Sequence, residues 1–327
     1  MEFSELRDQN SYEAAKALVA EVEKVVIGKH REVVLLVTAL LAGGHVLIED
    51  VPGVGKTTLA AALAGSAGLS FRRAQFTPDV MASDITGFSM YNRAKEAFEF
   101  REGLVMCNIL LADEINRASP KTQSSLLEAM EEGRVTVDGT TYELPKPFLV
   151  IATENPSGYV GTYPLPEAQL DRFAMRISMG YPTEEEEIAI VTDRAAGNPA
   201  AKLKAVCSVE SVTAMRASAS RVRIAPEITE YIVRLVQKTR DGKRFALGAS
   251  PRASLALMRL SRALALLRGR DYVTPEDISS LYLPALSHRL VLSQEMRMSH
   301  ARVEDVLGEI LREVEPPLRA ARSAEAK

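Results

Sequence analysis

The sequence predicts an α/β protein in which a parallel-sheet P-loop core is followed by a smaller, all-α second domain. Three short apolar runs begin near Val46, Asn108 and Phe148 and alternate with helical stretches. Continuous apolarity, without alternation, is typical of strands that are buried on both faces of a parallel sheet. From position 184 onward the apolar residues recur with helical spacing instead. We therefore expect ligands at the carboxyl ends of the strands.

The composition is that of a globular protein with room for two domains. The 327 residues are 46% hydrophobic and 25% charged, which allows a sizeable buried core. The net charge is −3 and no basic cluster interleaves with aromatic residues, which argues against constitutive nucleic-acid binding. The first ten residues lack the pattern of a signal peptide, and the apolar stretch 33–48 is interrupted. We expect a cytoplasmic protein with no transmembrane segment.

The cysteines and histidines indicate neither a disulfide framework nor a metal site. Cys107 and Cys207 lack metal-ligand spacing, so we expect Cys107 to be a buried small hydrophobe and Cys207 a free thiol. The histidines also lack metal spacing, and we expect them at surface or boundary positions. They are His30, His45, His288 and His300.

Two helices and one strand precede the first glycine-bearing loop. Residues 12–26 have an amphipathic helical pattern, and residues 33–42 predict a buried helix. Residues 46–48 predict a buried strand, whereas residues 58–64 are rich in alanine and leucine and predict a helix. Strand, loop and helix in this order form the context that a phosphate-binding loop requires.

The loop itself, DVPGVGKT, departs from the pattern G-x-x-x-x-G-K-[ST] because Asp50 holds the first glycine position. Aspartate tolerates left-handed backbone geometry, so we expect Asp50 to stand where that glycine would. Gly53 and Gly55 can adopt positive φ and leave room for a phosphate. An ordinary turn with a solvated lysine is the alternative. The candidate phosphate-binding residues are Pro52, Gly53, Val54, Gly55, Lys56, Thr57 and Thr58.

An acid pair, Asp113 and Glu114, follows the second apolar strand at 108–112. Asp113 can hold Mg²⁺ beside the Thr57 hydroxyl, and Glu114 can polarise an attacking water. Lys56 would neutralise charge on the β- and γ-phosphates. The alternative is a solvated pair of acids on a loop. The sequence has no N-K-x-D segment for reading guanine, and an acid that activates water is of little use to a small-molecule kinase.

Asn155 lies at the end of the third apolar strand, 148–152. Its amide can orient the lytic water between Glu114 and the γ-phosphate. A turn-forming asparagine before Pro156 is the alternative.

Two hairpin inserts interrupt the alternation of strands and helices. Residues 85–103 alternate loosely, and residues 133–145 contain two alternating runs on either side of Asp138-Gly139. Asp-Gly between alternating runs is a strong hairpin signal.

A domain boundary follows Tyr181-Pro182. Thr183 and Glu186 have the spacing of a capping box, which predicts a helix start. We place the nucleotide-binding domain at 1–183 and an all-α lid domain at 184–327, with a disordered tail from about Arg319. Further helix starts are predicted at Pro226, Pro251 and Pro275.

Together these residues resemble an AAA+ ATPase. The resemblance rests on the loop, the acid pair, Asn155, the segment LPEAQLDRF at 165–173 and the segment SPR at 250–252. The strings EDVPGVGKT, LADEINRASPKTQSSLLEAMEE and TYPLPEAQLDRF resemble the MoxR family in particular. The resemblance spans about 25–283 and is more specific in the first domain than in the second.

The resemblance implies a role for each matching position. Lys56 and Thr57 correspond to Walker A, Asp113 and Glu114 to Walker B, and Asn155 to sensor 1. Residues Val26, Ile27 and Gly28 correspond to the segment that lies against adenine. The inserts at 85–103 and 133–145 correspond to the helix-2 insert and the pre-sensor-1 hairpin.

Two arginines complete the implied site. Arg172 corresponds to the arginine finger that reaches a neighbouring subunit's ATP, although Arg172 or Arg176 could instead be a surface ion-pair partner. Arg252 corresponds to sensor 2. It is the second residue of a predicted helix, where the helix dipole disfavours a cation, so we expect an anion such as a phosphate nearby. Whether Arg252 acts within its own subunit or on a neighbour stays open.

The family implies ATP and ADP as ligands, Mg²⁺ as the metal and a ring, most often a hexamer. It also implies chaperone-like action on client proteins, with a von Willebrand factor A domain protein as partner. A nucleic-acid motor of the helicase type is one competing hypothesis, which the acidic charge balance disfavours. A nucleotide-dependent scaffold is another, which Glu114 and Asn155 disfavour.

Overall fold

The computed structural model describes residues 2–154, 163–195 and 203–317. Asn155 and the tail from Arg319 lie outside the described residues, so the predictions made for them stay as they are. Within the described ranges, no helix is both long and apolar enough to cross a membrane.

The first half of the chain alternates helices with strands. Its helices are α1 (Glu2–Glu23), α2 (His30–Ala42), α3 (Lys56–Ala67), α4 (Ala82–Thr86), α5 (Pro120–Glu132) and α6 (Glu167–Leu170). Its strands are β1 (His45–Glu49), β2 (Phe71–Gln75), β3 (Gly87–Asn92), β4 (Ala97–Glu102), β5 (Ile109–Asp113), β6 (Arg134–Val137), β7 (Thr140–Glu143), β8 (Leu149–Glu154) and β9 (Phe173–Ile177).

Five of these strands form one parallel sheet in the order β2-β5-β8-β1-β9. The three predicted strands are its centre, β5, β8 and β1, and the prediction of a parallel sheet is confirmed. The apolar side chains of β1 alternate between two buried clusters, because Val46 and Ile48 face one cluster and Leu47 faces the other. The sheet is therefore covered on both faces, as continuous apolarity indicates.

Both inserts are antiparallel hairpins, β3–β4 and β6–β7. Asp138 and Gly139 both have positive φ, 49° and 80°, as a two-residue hairpin turn of type I′ requires. The two hairpins touch each other, since the rings of Phe100 and Tyr142 stack at 3.8 Å between centroids.

The second half of the chain is mainly helical. Its helices are α7 (Glu184–Ala195), α8 (Val209–Arg221), α9 (Pro226–Lys238), α10 (Pro251–Leu267), α11 (Pro275–Leu286), α12 (Gln294–Met298) and α13 (Val303–Glu313). Two short strands, β10 (Phe245–Leu247) and β11 (Val291–Leu292), pair antiparallel, an addition to the predicted all-α pattern. The predicted capping box of α7 is present, since Thr183 N donates to Glu186 at 2.9 Å and Glu186 N donates to the Thr183 hydroxyl at 3.3 Å.

One apolar cluster runs from the sheet into the helices of the second half. It includes residues of α1, α2 and α3 together with residues of α8, α10 and α11. Helix α1 packs on α2, α3, α8 and α10, and Ser11 lies 3.0 Å from Ser218 on α8. The two halves therefore share part of their core.

Two histidines are buried, which corrects the expectation that all four lie at the surface or its boundary. His45 is 9% exposed; its Nδ1 accepts from Val150 N and its Nε2 donates to Met130 O, both at 3.0 Å. Burial lowers the pKa of His45 to about 4, so it is a neutral link between β1, β8 and α5. His288 is also buried. Cys107 and Cys207 are both buried and free.

Candidate functional site

The glycine-bearing loop connects the carboxyl end of β1 to the first turn of α3. Gly53 and Gly55 have φ of 88° and 94°, a conformation that favours glycine. Space around Gly53 is open, because a β-carbon there would have no atom within 4 Å. Backbone N–H groups at the start of a helix suit a phosphate, so the loop fits a nucleotide's phosphates. Lys56, Thr57 and Thr58 form the first turn of α3.

Asp50 does not adopt the left-handed geometry that the sequence suggested, since its φ is not positive. Its carboxylate instead accepts hydrogen bonds from Val51 N at 2.8 Å, Ser178 Oγ at 3.1 Å, Met179 N at 2.6 Å and Gly180 N at 2.7 Å. Burial alone would raise the pKa of Asp50, but these hydrogen bonds outweigh burial and lower the pKa. Asp50 is thus a buried anion that ties the loop to the segment after β9.

Lys56 lies between the loop and the acid pair. Its Nζ donates to the backbone carbonyl of Asp50 at 2.6 Å, and the residue is 8% exposed. Burial lowers the pKa of Lys56, while the charges of Asp50, Asp113 and Glu114 act in the opposite direction. The predicted lysine and both predicted acids are therefore neighbours.

The acid pair is organised by Thr153 on β8, which the sequence did not single out. Thr153 Oγ1 donates to Asp113 at 2.6 Å and accepts from Glu114 N at 2.8 Å. Arg73 of β2 bonds the other Asp113 oxygen at 2.7 Å, and Arg117 bonds Glu114 at 2.9 Å. Glu114 has φ of 56°, an uncommon value for a residue with a side chain.

A magnesium ion fits this site only with help from phosphate oxygens. The described residues contain no group of three His, Cys, Asp or Glu side chains that could hold a metal ion by themselves. Asp113 and the Thr57 hydroxyl offer oxygen atoms, and Mg²⁺ is commonly held by one or two protein oxygens together with phosphates and water. The residues present therefore suit the metal of a nucleotide complex.

The predicted adenine segment lies beside the start of α7. Val26 is buried, and Gly28 has φ of 74°. A β-carbon at Gly28 would collide with the side chain of Glu186, so the first turn of α7 lies directly against this segment. Lys29 Nζ also donates to Tyr181 O at 3.2 Å.

Arg172 and Arg252 meet at the opposite edge of the sheet. Both form ion pairs with Glu131 at the end of α5, and Arg172 Nη1 also donates to Leu127 O at 3.1 Å. Arg172 directly precedes Phe173, which pairs with the first residue of β1. The loop follows the last residue of this five-residue strand, so the two ends are roughly 15 Å apart at about 3.3 Å per residue. The anion beside Arg252 within its own chain is thus a carboxylate.

Arg176 has a different environment from Arg172. Its two terminal nitrogens bind Glu49 of β1 and Glu304 of α13, each at 2.6 Å. Glu154 pairs in register with Glu49 and lies in the same cavity of about 540 Å³. Burial, followed by the charge of Glu49, raises the pKa of Glu154 to about 7. No local sequence pattern indicates this cluster, because its members are far apart along the chain.

Comparisons with known proteins agree with this arrangement. The family of ATPases associated with various cellular activities (AAA) matches residues 45–175, and the AAA lid domain matches residues 237–310. The uncharacterized protein YeaC of Bacillus subtilis is 50% identical, covering 92% of this chain and 94% of its own length. Chaperone MoxR1 of Mycobacterium tuberculosis is 41% identical, covering 91% and 81%. A crystal structure of a candidate ATPase from Cytophaga hutchinsonii is 38% identical, with a TM-score of 0.91 and coverage of 97% and 98%.

These similarities extend over nearly the whole chain rather than over the loop alone. The AAA match contains the loop, the acid pair and Arg172, and the lid match contains Arg252. Sequence identity, fold and the position of each motif therefore agree, and the chain belongs to the MoxR family of AAA+ ATPases.

Proposed function

We propose that this ATPase uses the energy of Mg·ATP hydrolysis to remodel or activate client proteins, working as a ring with a von Willebrand factor A domain protein as partner. The chaperone role is supported by the name of the relative MoxR1, which is 41% identical. The observation that carries the proposal is that the charged residues of the candidate site lie at two opposite edges of one sheet. The phosphate loop and acid pair lie at the carboxyl edge, and Arg172 and Arg252 lie at the amino edge.

Each residue of the loop and acid pair has a proposed task. Lys56 neutralises the β- and γ-phosphates, and backbone N–H groups of 52–58 bind the phosphates. Thr57 and Asp113 would hold Mg²⁺, which supplies charge neutralisation when bound. Glu114 accepts the proton of the attacking water, and Asn155 orients that water. Residues 26–28 hold the adenine ring.

Arg172 is proposed to serve the active site of the next subunit. It lies roughly the length of a strand from its own loop, which is farther than one arginine side chain extends. Arg252 shares its carboxylate partner, so we propose that both act on the same neighbour. Arg176 is a poorer candidate for the finger, because both of its terminal nitrogens already bind carboxylates.

Such an arrangement favours a closed ring. A contact between the loop edge of one subunit and the arginine edge of the next is head-to-tail, and head-to-tail contacts form a ring when the rotation between successive subunits closes. We propose a hexamer in the cytoplasm, with residues 1–183 as the nucleotide-binding part and 184–327 as the lid. The inserts at 85–103 and 133–145 are proposed to be the helix-2 insert and the pre-sensor-1 hairpin.

The proposal is tested with Lys56→Ala, which should abolish ATP binding, and Glu114→Gln, which should bind ATP but turn over about 10²–10⁴ times more slowly. Glu128→Gln, on an exposed position of α5, is the matched control and should hydrolyse ATP normally. Client and partner proteins should co-purify with the Glu114→Gln variant in ATP and be released in ADP. ATP affinity that survives Lys56→Ala, or normal turnover in Glu114→Gln, would contradict the assigned roles.

A further inference from the structure

The side chain of Asp50 joins two segments that are far apart in the sequence. One of its oxygens accepts from Met179 N at 2.6 Å, Gly180 N at 2.7 Å and Ser178 Oγ at 3.1 Å. These three residues follow β9 and lead into α7. The start of the phosphate loop is therefore fixed to the segment between β9 and α7 by the carboxylate of Asp50, a residue that is only 8% exposed.

The segment 178–186, which we call the strap, continues from Asp50 to the other end of the nucleotide site. The carbonyl of Tyr181 accepts from Lys29 Nζ at 3.2 Å. Thr183 N donates to the side chain of Glu186, which lies against Gly28. The strap thus touches the phosphate loop at one end and the predicted adenine segment at the other.

We propose that Asp50 is a positioning residue that sets, through the strap, the separation between the phosphate loop and the adenine segment 26–28. This inference rests on the proposed nucleotide site and names a residue that controls it. A ligand that contacts both ends, such as ATP, needs Asp50. A ligand that contacts the loop alone, such as inorganic tripolyphosphate, does not.

The contacts of the phosphate loop indicate that the Asp50 carboxylate holds the strap rather than the loop itself. Lys56 donates to the backbone carbonyl of Asp50, which any residue at position 50 supplies. The carboxylate makes a single bond to its own loop, to Val51 N at 2.8 Å, against three bonds to the strap. Removing the carboxylate therefore releases the strap and leaves the phosphate end largely as it is.

The main experiment compares two ligands on one variant by calorimetric titration with Mg²⁺. In Asp50→Ala the Kd for ATP should rise about tenfold or more, as expected when hydrogen bonds to a charged group are lost. The Kd for tripolyphosphate should stay at its wild-type value. Asp50→Asn keeps one oxygen for Met179 and Gly180, so it should recover most of the ATP affinity.

A second variant tests the far end of the strap without changing a deeply buried residue. Glu186→Ala removes the contact with Gly28 and one capping bond, and should reproduce the same split between ATP and tripolyphosphate. Glu187→Ala, at an exposed position of α7 just beyond the strap, is the matched control and should change neither Kd.

Three results would overturn the role of Asp50: equal losses of ATP and tripolyphosphate affinity in Asp50→Ala, no loss of either, or wild-type ATP affinity in Glu186→Ala. Failure of the nucleotide site itself looks different. The wild-type chain would then bind neither ligand, Lys56→Ala would change nothing, and the role of Asp50 would fall with the site.

Discussion

Glu154 shows how the sheet changes the chemistry of a single residue. It lies at the end of β8, where burial and then the charge of neighbouring Glu49 disfavour its ionised form. The pKa of Glu154 therefore rises from its ordinary 4.5 to about 7. Between these two values the folded chain binds a proton that the unfolded chain has released, so the stability falls as pH rises from about 4.5 to about 7.

Glu154→Gln should remove this part of the pH dependence, because glutamine is neutral throughout. We expect the variant to gain stability relative to wild type as pH rises from 5 to 8, by at most about 3 kcal/mol at about 1.4 kcal/mol per pKa unit. Chemical denaturation at several pH values measures this. For Glu143→Gln, at an exposed position of β7, the free energy of unfolding should depend on pH as it does for wild type. The same pH dependence in Glu154→Gln as in wild type would show that the pKa of Glu154 is not raised.

At the same scale, the sequence predicted the local elements that hold the candidate site residues better than the contacts between distant segments. Gly53, Gly55 and Lys56 follow from a local pattern, because the strand, turn and helix that hold them are consecutive. The role of Asp50 depends on 178–180, which no local pattern can reveal. Arg73 and Thr153 reach Asp113 only because β2, β5 and β8 are neighbours in the sheet.

Among the elements, the root of the β3–β4 hairpin is held by a close backbone approach. Gly103 follows β4 and lies against the end of α4, where a β-carbon would collide with Ile85 O and Gly87 N. Such a contact with backbone atoms cannot be relieved by rotating a side chain. The root of the hairpin therefore has no room for a side chain at position 103.

Gly103→Ala should destabilise the protein by more than about 2 kcal/mol, because the hairpin root must shift to admit the methyl group. Gly65→Ala is a matched control, since Gly65 is an exposed residue of α3 where a β-carbon would have no atom within 4 Å. The control should gain up to about 1 kcal/mol, because alanine favours a helix. Thermal unfolding of both variants measures these changes in stability. An equal change in stability for the two variants would contradict the steric role of Gly103.

The outer elements of the sheet were harder to predict than its centre. Strands β1, β5 and β8 are buried on both faces and have continuous apolar runs, whereas β2 has the sequence FRRAQ and is partly exposed. Strand β9 includes Arg176, whose charge is balanced by Glu49 and Glu304 from other elements. A continuous apolar run identifies a strand only where its surroundings are apolar. The strands at the two edges of the sheet were therefore not predicted from apolarity.

For the whole molecule, the distance between Arg172 and its own phosphate loop predicts that ATPase activity depends on assembly of subunits. An arginine finger contributes about 10³–10⁵ in rate, so the proposed role of Arg172 predicts that an isolated chain is nearly inactive. ATPase activity per chain should rise with protein concentration through the range in which subunits associate, as followed by light scattering. Arg172→Ala should stay inactive at every concentration, and Arg302→Ala, at an exposed position before α13, should follow wild type.

Mixing two inactive variants is a second test of whether Arg172 acts on a neighbouring subunit. Arg172→Ala retains Lys56, and Lys56→Ala retains Arg172, so the proposed ring should contain some complete interfaces when the two variants are mixed. Specific activity that stays constant on dilution through dissociation would show that Arg172 acts within its own chain or not at all.

The packing of α1 also bears on how the chain is synthesised. Ser11 on α1 meets Ser218 on α8, 207 residues later. At about 5–20 residues per second, the ribosome needs roughly 10–40 s to deliver that partner. During this interval the side of α1 that will face α8 is bare on a nascent chain, while α2 and α3 are already available to its other side. Helix α1 is thus fully enclosed only after α8 has been synthesised.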